Sequence, residues 1–417
     1  MKTTAIATTL LLAACALTGL AACSDGADQA GAADAPDTAL RLASQGNFYV
    51  GGQYTDETAE LDGSPAERDG TAVNPGEMRY YGQIYVQYQI PAEQTQPIPI
   101  VLVHGGSRTG ADWIMTPDGR PGWNDFFLRR GYAVYIVDQV ARGRSPYIDN
   151  IYGPSRYQNY EFVMQRFAAS EHHDLWPQSQ LHTQWPGTAE PGDPTFDNYY
   201  AGGIGSMQNR EMQTQMNIDA LVALLDRIGP AIVFVHSQSG AYGWPLVQAR
   251  PNLVKALVAL EPSGPPVHGV GFHGPPDYFS DLTELKRWGL TITPMEYAPA
   301  LDDPSDLTFV QQETPDTPDH ARCWLQAEPA RQLTNFVDSP ILILEAESSF
   351  YAAYNHCTVK YLEQGGVSPT YIRLQDAGMR GNGHMMMMEQ NSDQVAQLVV
   401  DWLDLTLGAA PARGVAP

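Results

Sequence analysis

Short apolar runs recur along the chain, separated by turns or by helical periodicity, and they restrict its fold more than any other feature. Two segments, 212–227 and 390–407, carry apolar residues three and four positions apart and are predicted as helices. This alternation is typical of a mostly parallel sheet with helices on its faces, so the sequence predicts an α/β fold class in one domain. Segment 82–90 alternates and is predicted as an edge or half-exposed strand, whereas the predicted interior strands are 98–103, 133–137, 231–235, 256–260, 341–344 and 371–374.

Two long segments, 146–204 and 262–332, do not follow this alternation. The first is crowded with tyrosine and tryptophan among glycines and prolines, and the second is similarly irregular. Long insertions of this kind inside a compact fold are usually functional loops when they are rich in aromatic residues. We expect a body over 41–409 in which these two insertions form a large irregular cap, followed by a tail over 410–417.

The first residues of the chain are typical of an export signal. Lys2 precedes an apolar stretch that ends in small residues before Cys23, and residues 20–23, Leu-Ala-Ala-Cys, resemble the lipobox of bacterial lipoproteins. We therefore predict a lipoprotein-type signal peptide over 1–22, lipidation of Cys23 and a flexible linker over 23–40. The expected location is periplasmic or outer-membrane-anchored through the lipid, or secreted if the leader is an ordinary cleaved signal.

The charge balance restricts the partners of the protein. The 417 residues include 47 acidic and 24 basic side chains, which gives a formal net charge of −23. A field of this sign repels phosphate backbones, so nucleic acid is not an expected partner. The oligomeric state is left open.

Besides Cys23, the exported body holds only Cys323 and Cys357. An oxidising compartment would allow these two residues to pair. Two buried free thiols are the alternative, since the sequence does not fix the distance between them.

The predicted strand 231–235 runs into the sequence His-Ser-Gln-Ser-Gly at 236–240, before a predicted helix. A sharp strand-to-helix turn holds a serine hydroxyl clear of the backbone at the carboxyl edge of a parallel sheet, so Ser237 is the candidate nucleophile. Val235 occupies a position where Gly-x-Ser-x-Gly has glycine. A shift of register would make Ser239 the nucleophile, and an ordinary surface turn is the other alternative.

A glycine pair, Gly105-Gly106, follows the predicted strand 98–103. Acyl transfer through a serine needs two backbone N–H donors for the anionic oxygen, one from the residue after the nucleophile and one from a loop after an earlier strand. Gln238 and Gly106 are therefore the candidate oxyanion-hole residues.

A serine nucleophile needs an imidazole to accept its proton, and in this type of fold the histidine lies late in the chain. His384 lies in a glycine-rich loop after the last predicted strand and is the candidate base. The chain order serine, acid, histidine leaves Glu261 or Glu347, with its neighbour Glu345, as the acid. His236 is expected to point away from the site.

Several short motifs occur together in this chain. They are His-Gly-Gly at 104–106, Thr-Pro-Asp-Gly-Arg at 116–120, Arg-Gly-Arg-Ser at 142–145, His-Ser-Gln-Ser-Gly at 236–240, Leu-Glu-Pro at 260–262 and Gly-Asn-Gly-His-Met at 381–385. This combination resembles a small branch of exported bacterial esterases within the α/β-hydrolase superfamily. The resemblance covers most of residues 80–407 but matches the cap poorly, so it does not indicate the substrate. It implies the α/β-hydrolase fold, a triad of Ser237, Glu261 and His384, and Gly106 and Gln238 as the oxyanion donors. The commoner α/β-hydrolase arrangement takes the acid from the later strand, which keeps Glu347 as the alternative acid.

These residues predict an exported serine esterase that cleaves small carboxylic esters through an acyl-enzyme and requires no metal or organic cofactor. An amidase, peptidase or acyltransferase with the same triad is one alternative. A non-catalytic, membrane-tethered binding protein that keeps the fold is another.

Overall fold

A computed structural model of the chain describes residues 39–55, 79–284, 286–336 and 339–408. The predicted signal peptide, Cys23, all but the last two residues of the linker, and the tail over 410–417 lie outside the described residues. Their assignments, and the domain limits, stay predictions.

An eight-stranded sheet forms the centre of the fold. Its strands are β1 (Leu42–Tyr54), β2 (Tyr80–Pro91), β3 (Ile100–Val103), β4 (Val134–Asp138), β5 (Ala231–His236), β6 (Val254–Leu260), β7 (Ile341–Glu345) and β8 (Thr370–Arg373). Their spatial order is β1-β2-β4-β3-β5-β6-β7-β8. β1 is antiparallel to β2, and β2 is antiparallel to β4, whereas all the other neighbours are parallel.

β3 is apolar at every position, and so are residues 231–235 of β5 and 341–344 of β7, because both faces of the sheet are covered. In β5, Val233 and Val235 face one core together with Leu221 of a covering helix. Ile232 and Phe234 face the second core together with Val399 of another helix. Alternate residues of this strand therefore pack into two separate hydrophobic cores, one on each face of the sheet.

The covering helices account for the periodic segments of the sequence. The longest begins after Asn209, whose side chain accepts a hydrogen bond from the N–H of Met212, and it ends before Gly229, whose φ of 85° favours glycine. The helices are α1 (Trp123–Arg129), α2 (Asp149–Tyr152), α3 (Tyr160–Val163), α4 (Pro194–Ala201), α5 (Arg210–Ile228), α6 (Gly240–Ala249), α7 (Asn355–Gln364) and α8 (Ser392–Leu407). A π-helix spans Met164–Ala168, and 3-10 turns span Gly110–Trp113, Ser170–His172, Pro177–Leu181, Ser237–Ser239, Pro304–Asp306, Phe350–Ala353 and Leu374–Ala377.

The edge of the sheet differs from the prediction. Segment 82–90 lies within β2, which is not an edge strand. The edge strand is β1, which was not predicted and which pairs with β2 along the full length of β2. Gly46, Gly51 and Gly52 interrupt the alternation of β1, and most of its side chains are exposed. The strand therefore carries little of the hydrophobic pattern by which strands are recognised.

The two predicted insertions consist of short elements and loops. The second insertion is tied to α7 by a disulfide between Cys323 and Cys357. None of the helices in the described ranges is both long and apolar enough to cross a membrane. The short strand pairs in the insertions and at their ends are Ser155–Arg156 with Ser206–Met207, His268–Phe272 with Phe279–Glu284, Tyr297–Ala298 with Gln332–Leu333, and Phe309–Gln311 with Trp324–Gln326.

Candidate active site

Ser237 lies at a tight bend between β5 and α6. Its backbone has a φ of 54°, in the left-handed region that non-glycine residues rarely adopt. Two glycines allow the chain to pack closely around this bend. A Cβ on Gly105 would lie 2.8 Å from the Nδ1 atom of His236, and a Cβ on Gly240 would lie 2.5 Å from the Cα atom of Pro262. The bend has the form expected of a nucleophile turn at the carboxyl edge of the sheet.

Ser239, the alternative nucleophile, is placed differently. Its side chain is fully buried, and its Oγ atom accepts the N–H of His236 at 2.8 Å. The same hydroxyl lies 3.1 Å from the carbonyl oxygen of Val103 and 3.0 Å from that of His236. Ser239 therefore holds the bend together, whereas the Ser237 side chain is partly accessible.

Glu261 contacts the imidazole of His384. The residue follows β6, the neighbour of β5, and its Oε2 atom lies 2.6 Å from Nδ1 of His384. Oε1 accepts the N–H of Ala346 at 2.9 Å, and Oε2 also accepts the Ser349 hydroxyl at 2.7 Å. A carboxylate facing Nδ1 favours the tautomer with the proton on Nδ1, which leaves Nε2 as the acceptor.

Burial sets the protonation of this pair. It lowers the pKa of His384 to about 3, so the imidazole is neutral in the resting protein. It also raises the pKa of Glu261 well above its ordinary value, while the hydrogen bonds from Ser349 and Ala346 act in the opposite direction. A neutral imidazole is the form that accepts a proton from a serine hydroxyl.

Tyr351 brings the serine and the histidine to one place. Its hydroxyl lies 3.5 Å from Oγ of Ser237, and its ring stacks on the His384 ring with centroids 4.7 Å apart and planes 3° apart. Phe167 and Phe350 also pack against that imidazole, at 5.4 and 5.0 Å between centroids. These three aromatic residues were not singled out from the sequence. Phe167 lies in the aromatic-rich first insertion, whereas Phe350 and Tyr351 lie outside both insertions, where no sequence pattern pointed to them.

The other candidate acids have other partners. Glu347 accepts Nη1 of Arg380 at 2.6 Å and the N–H of Gly381 at 2.8 Å. Glu345 accepts the hydroxyl of Tyr371, and burial raises the pKa of Glu345 to about 8. Of the three carboxyl groups considered from sequence, Glu261 is the one that the structure brings to His384.

The two candidate oxyanion donors lie beside the bend. A Cβ on Gly106 would lie 3.3 Å from Oε1 of Gln238, so the two loops are in close contact. The N–H of Gln238 is in the first turn after β5, where N–H groups lack intrahelical acceptors. Gly106 and Gln238 therefore lie side by side next to the bend at Ser237.

Hydrogen bonds from two sides hold the loop that carries His384. On one side, Nε2 of His236 donates to the carbonyl oxygen of His384 at 3.0 Å. The prediction that His236 points away from the site is therefore wrong. Oε1 of Glu389, which is buried, accepts the N–H of Gly383 at 2.8 Å and lies 2.8 Å from Nε2 of His182. These contacts restrict the position of the imidazole.

Comparisons with known proteins agree with this architecture. A protein named probable secreted lipase phiG, from Fungal sp. (strain ATCC 74256), is 42% identical over 357 residues, which cover 85% of this chain and 88% of that relative. A structure described as the atomic resolution structure of a novel bacterial esterase is 23% identical, with a TM-score of 0.56 and coverage of 89% of this chain and 98% of that one. This likeness confirms the predicted fold class. The model of the alpha/beta hydrolase family matches residues 100–398, and the chain belongs to that family.

Proposed function

We propose that the protein is an exported serine esterase that hydrolyses carboxylic esters through an acyl-enzyme. Ser237 is the nucleophile, His384 the general base and Glu261 the residue that orients the imidazole. The observation that carries the proposal is the 2.6 Å contact between Glu261 and His384, on an imidazole that shares the neighbour Tyr351 with the Ser237 hydroxyl.

The acylation step follows from these positions. Oγ of Ser237 attacks the ester carbonyl carbon while Nε2 of His384 takes the hydroxyl proton, and the imidazolium is stabilised by Glu261. The tetrahedral intermediate then expels the alcohol, which takes the proton from His384. Water, activated by the same imidazole, attacks the acyl-enzyme and releases the carboxylic acid.

The backbone N–H groups of Gly106 and Gln238 are proposed to bind the anionic oxygen of each tetrahedral intermediate. Such donors act strongly because they are already oriented in a site from which water is largely excluded. His384 is 1% exposed, which supports a low-dielectric site.

The aromatic rings around the imidazole support an ester with an apolar part. Phe167 comes from the first insertion and Phe350 from the 3-10 turn after β7, and both rings contact His384. An apolar acyl or alcohol group placed against these rings would be removed from water, which favours binding. The name of the fungal relative, a probable secreted lipase, also supports an ester substrate.

Export is part of the proposal. The leader-like sequence before Cys23 and the word secreted in the name of the relative support it. A lipid on Cys23 would anchor the protein to a membrane surface. Incorporation of labelled palmitate that is lost in Cys23→Ser would support the anchor, and release of an unlabelled protein into the medium would support simple secretion.

The test of the proposed function is a substrate panel on the purified exported protein. We expect turnover of aryl and alkyl esters and much slower turnover of matched anilides. Ser237→Ala should lower kcat by at least about a thousandfold, because the remaining groups cannot form the acyl-enzyme.

Ser44→Ala is the matched control, since Ser44 is an exposed serine on the edge strand β1 and its substitution should leave kcat unchanged. Ester turnover that persists in Ser237→Ala would contradict the proposed nucleophile. A protein that turns over no ester would contradict the proposed function.

A further inference from the structure

Arg142 is a buried guanidinium beside the proposed oxyanion hole. It lies in the turn after β4, and its side chain is 1% exposed. Nη1 donates to the carbonyl oxygen of Gly105 at 3.0 Å. Nη2 donates to Oε1 of Gln238 at 2.7 Å and to the hydroxyl of Ser206 at 2.7 Å.

In the described part of the chain, none of the hydrogen-bond partners of Arg142 is a carboxylate. The nearby acidic residues are held by other guanidinium groups: Asp112 by Arg108 and Asp138 by Arg144. Burial lowers the pKa of Arg142 to about 10, so the group is still charged at neutral pH. A buried cation without an anionic partner is costly, and such a charge is expected where an anion forms during function.

Two of the three hydrogen-bond partners of Arg142, the Gly105 carbonyl and the Gln238 side chain, are directly linked to the proposed oxyanion donors. The carbonyl of Gly105 and the N–H of Gly106 are the two ends of one peptide group, and in a trans peptide they point in opposite directions. A guanidinium that binds the carbonyl therefore directs the N–H away from itself and polarises it. The hydrogen bond from Arg142 to the carbonyl and the hydrogen bond from the N–H to the oxyanion therefore strengthen one another.

His104 acts on the same carbonyl. Its Nε2 atom accepts the N–H of Gln139 at 3.1 Å, which places the ring proton on Nδ1. Nδ1 lies 2.8 Å from the carbonyl oxygen of Gly105 and therefore donates to it. The Gly105–Gly106 peptide is held from its carbonyl side by two donors, one of them fully charged.

We propose that Arg142 is a positioning residue that orients and polarises the two backbone donors of the oxyanion hole, through the Gly105 carbonyl and the Gln238 side chain. This inference rests on the proposed function, because the oxyanion is that of an ester reaction. Arg142 should stabilise the transition state, in which the negative charge is present, and should have little effect on the binding of the uncharged ester.

The experiment compares Arg142→Met with wild type on a single ester and with a trifluoromethyl ketone, which forms a tetrahedral oxyanion on the serine. We expect kcat to fall about a hundredfold, with KM changed by less than about threefold and the inhibitor affinity reduced in parallel with kcat. A purely structural role would not produce this parallel loss in a variant whose circular dichroism and melting temperature match wild type.

Ser206→Ala is the matched control, because it removes one hydrogen bond of Arg142 and leaves both bonds on the oxyanion side. If Arg142→Met does not fold, Gln238→Met takes its place, since it removes one acceptor but keeps the backbone N–H, and its kcat should fall about tenfold.

Unchanged kcat in a folded Arg142→Met, or a loss of kcat without a loss of inhibitor affinity, overturns the inference alone. If Arg142→Met does not fold, unchanged kcat in Gln238→Met overturns it. A wild-type protein with no ester turnover and no inhibitor adduct overturns the proposed function and this inference with it.

Discussion

The Oε2 atom of Glu261 lies 2.6 Å from Nδ1 of His384, although 123 positions separate the two residues in the chain. Glu261→Gln keeps the shape of the side chain and removes the charge that stabilises the imidazolium. We expect kcat to fall by about two to four orders of magnitude. Steady-state kinetics on one ester measure this effect.

Glu347→Gln is the control for that variant, because Glu347 contacts Arg380 and Gly381 instead of the imidazole. It should lower kcat less than about tenfold, since it perturbs the loop without changing the proposed triad. An equal loss in both variants would argue against Glu261 as the triad acid.

Tyr351 offers a test of how the imidazole is held. The ring stacks on His384, whereas the hydroxyl makes only a long contact with Ser237. Tyr351→Phe should therefore stay within about threefold of the wild-type kcat, while Tyr351→Ala should lose about ten- to a hundredfold because the imidazole loses its packing partner. A larger loss in Tyr351→Phe would mean that the hydroxyl takes part in the reaction.

The stability should depend on pH through His182. This buried side chain lies between Glu389 and Glu171, with N–O distances of 2.8 and 3.2 Å. Burial alone would lower its pKa, but the two carboxylates outweigh burial and raise the pKa to about 9. Because the pKa of His182 is higher in the folded state, protonated His182 contributes its full stabilisation below about pH 6.5. This contribution is lost as the pH rises through about 9.

Urea unfolding measured from pH 6 to pH 10 tests the direction of this pH dependence of the unfolding free energy. Wild type should lose about 3 kcal/mol of unfolding free energy over that range relative to His182→Gln. His172→Gln, which changes an exposed histidine of the same insertion, should retain the wild-type dependence. Identical slopes for wild type and His182→Gln would refute the assignment.

The disulfide between Cys323 and Cys357 closes a sequence separation of 34 residues. Replacing both cysteines with alanine should lower the unfolding free energy by about 2–4 kcal/mol, because the unfolded chain gains freedom. A reducing agent should destabilise wild type but not the double variant. Equal stability of the two proteins would show that the bond is absent.

Much of the fold could be predicted because the hydrophobic periodicity is local. Residues 231–235, shortly before Ser237, are all apolar, and a turn and a helix follow within a few residues. β1 escaped prediction because its burial is partial and its glycines interrupt the pattern. A strand is recognised from sequence only where burial imposes a hydrophobic pattern, either a continuous apolar run or an alternation.

The site divides in the same way. Ser237, Glu261 and His384 were candidates because each follows a predicted strand or lies in a distinctive loop. Tyr351 and Arg142 were not, since their roles depend on contacts with residues about 30 to 110 positions away. Tertiary packing brings these groups together, and no local spacing encodes it.

Labelling with a fluorophosphonate probe, followed by peptide mapping by mass spectrometry, tests most directly whether Ser237 is the nucleophile. We expect one adduct, on Ser237 in the segment His-Ser-Gln-Ser-Gly, that disappears in Ser237→Ala and in wild type denatured before labelling. An adduct on Ser239, or no adduct on the active folded protein, would contradict it.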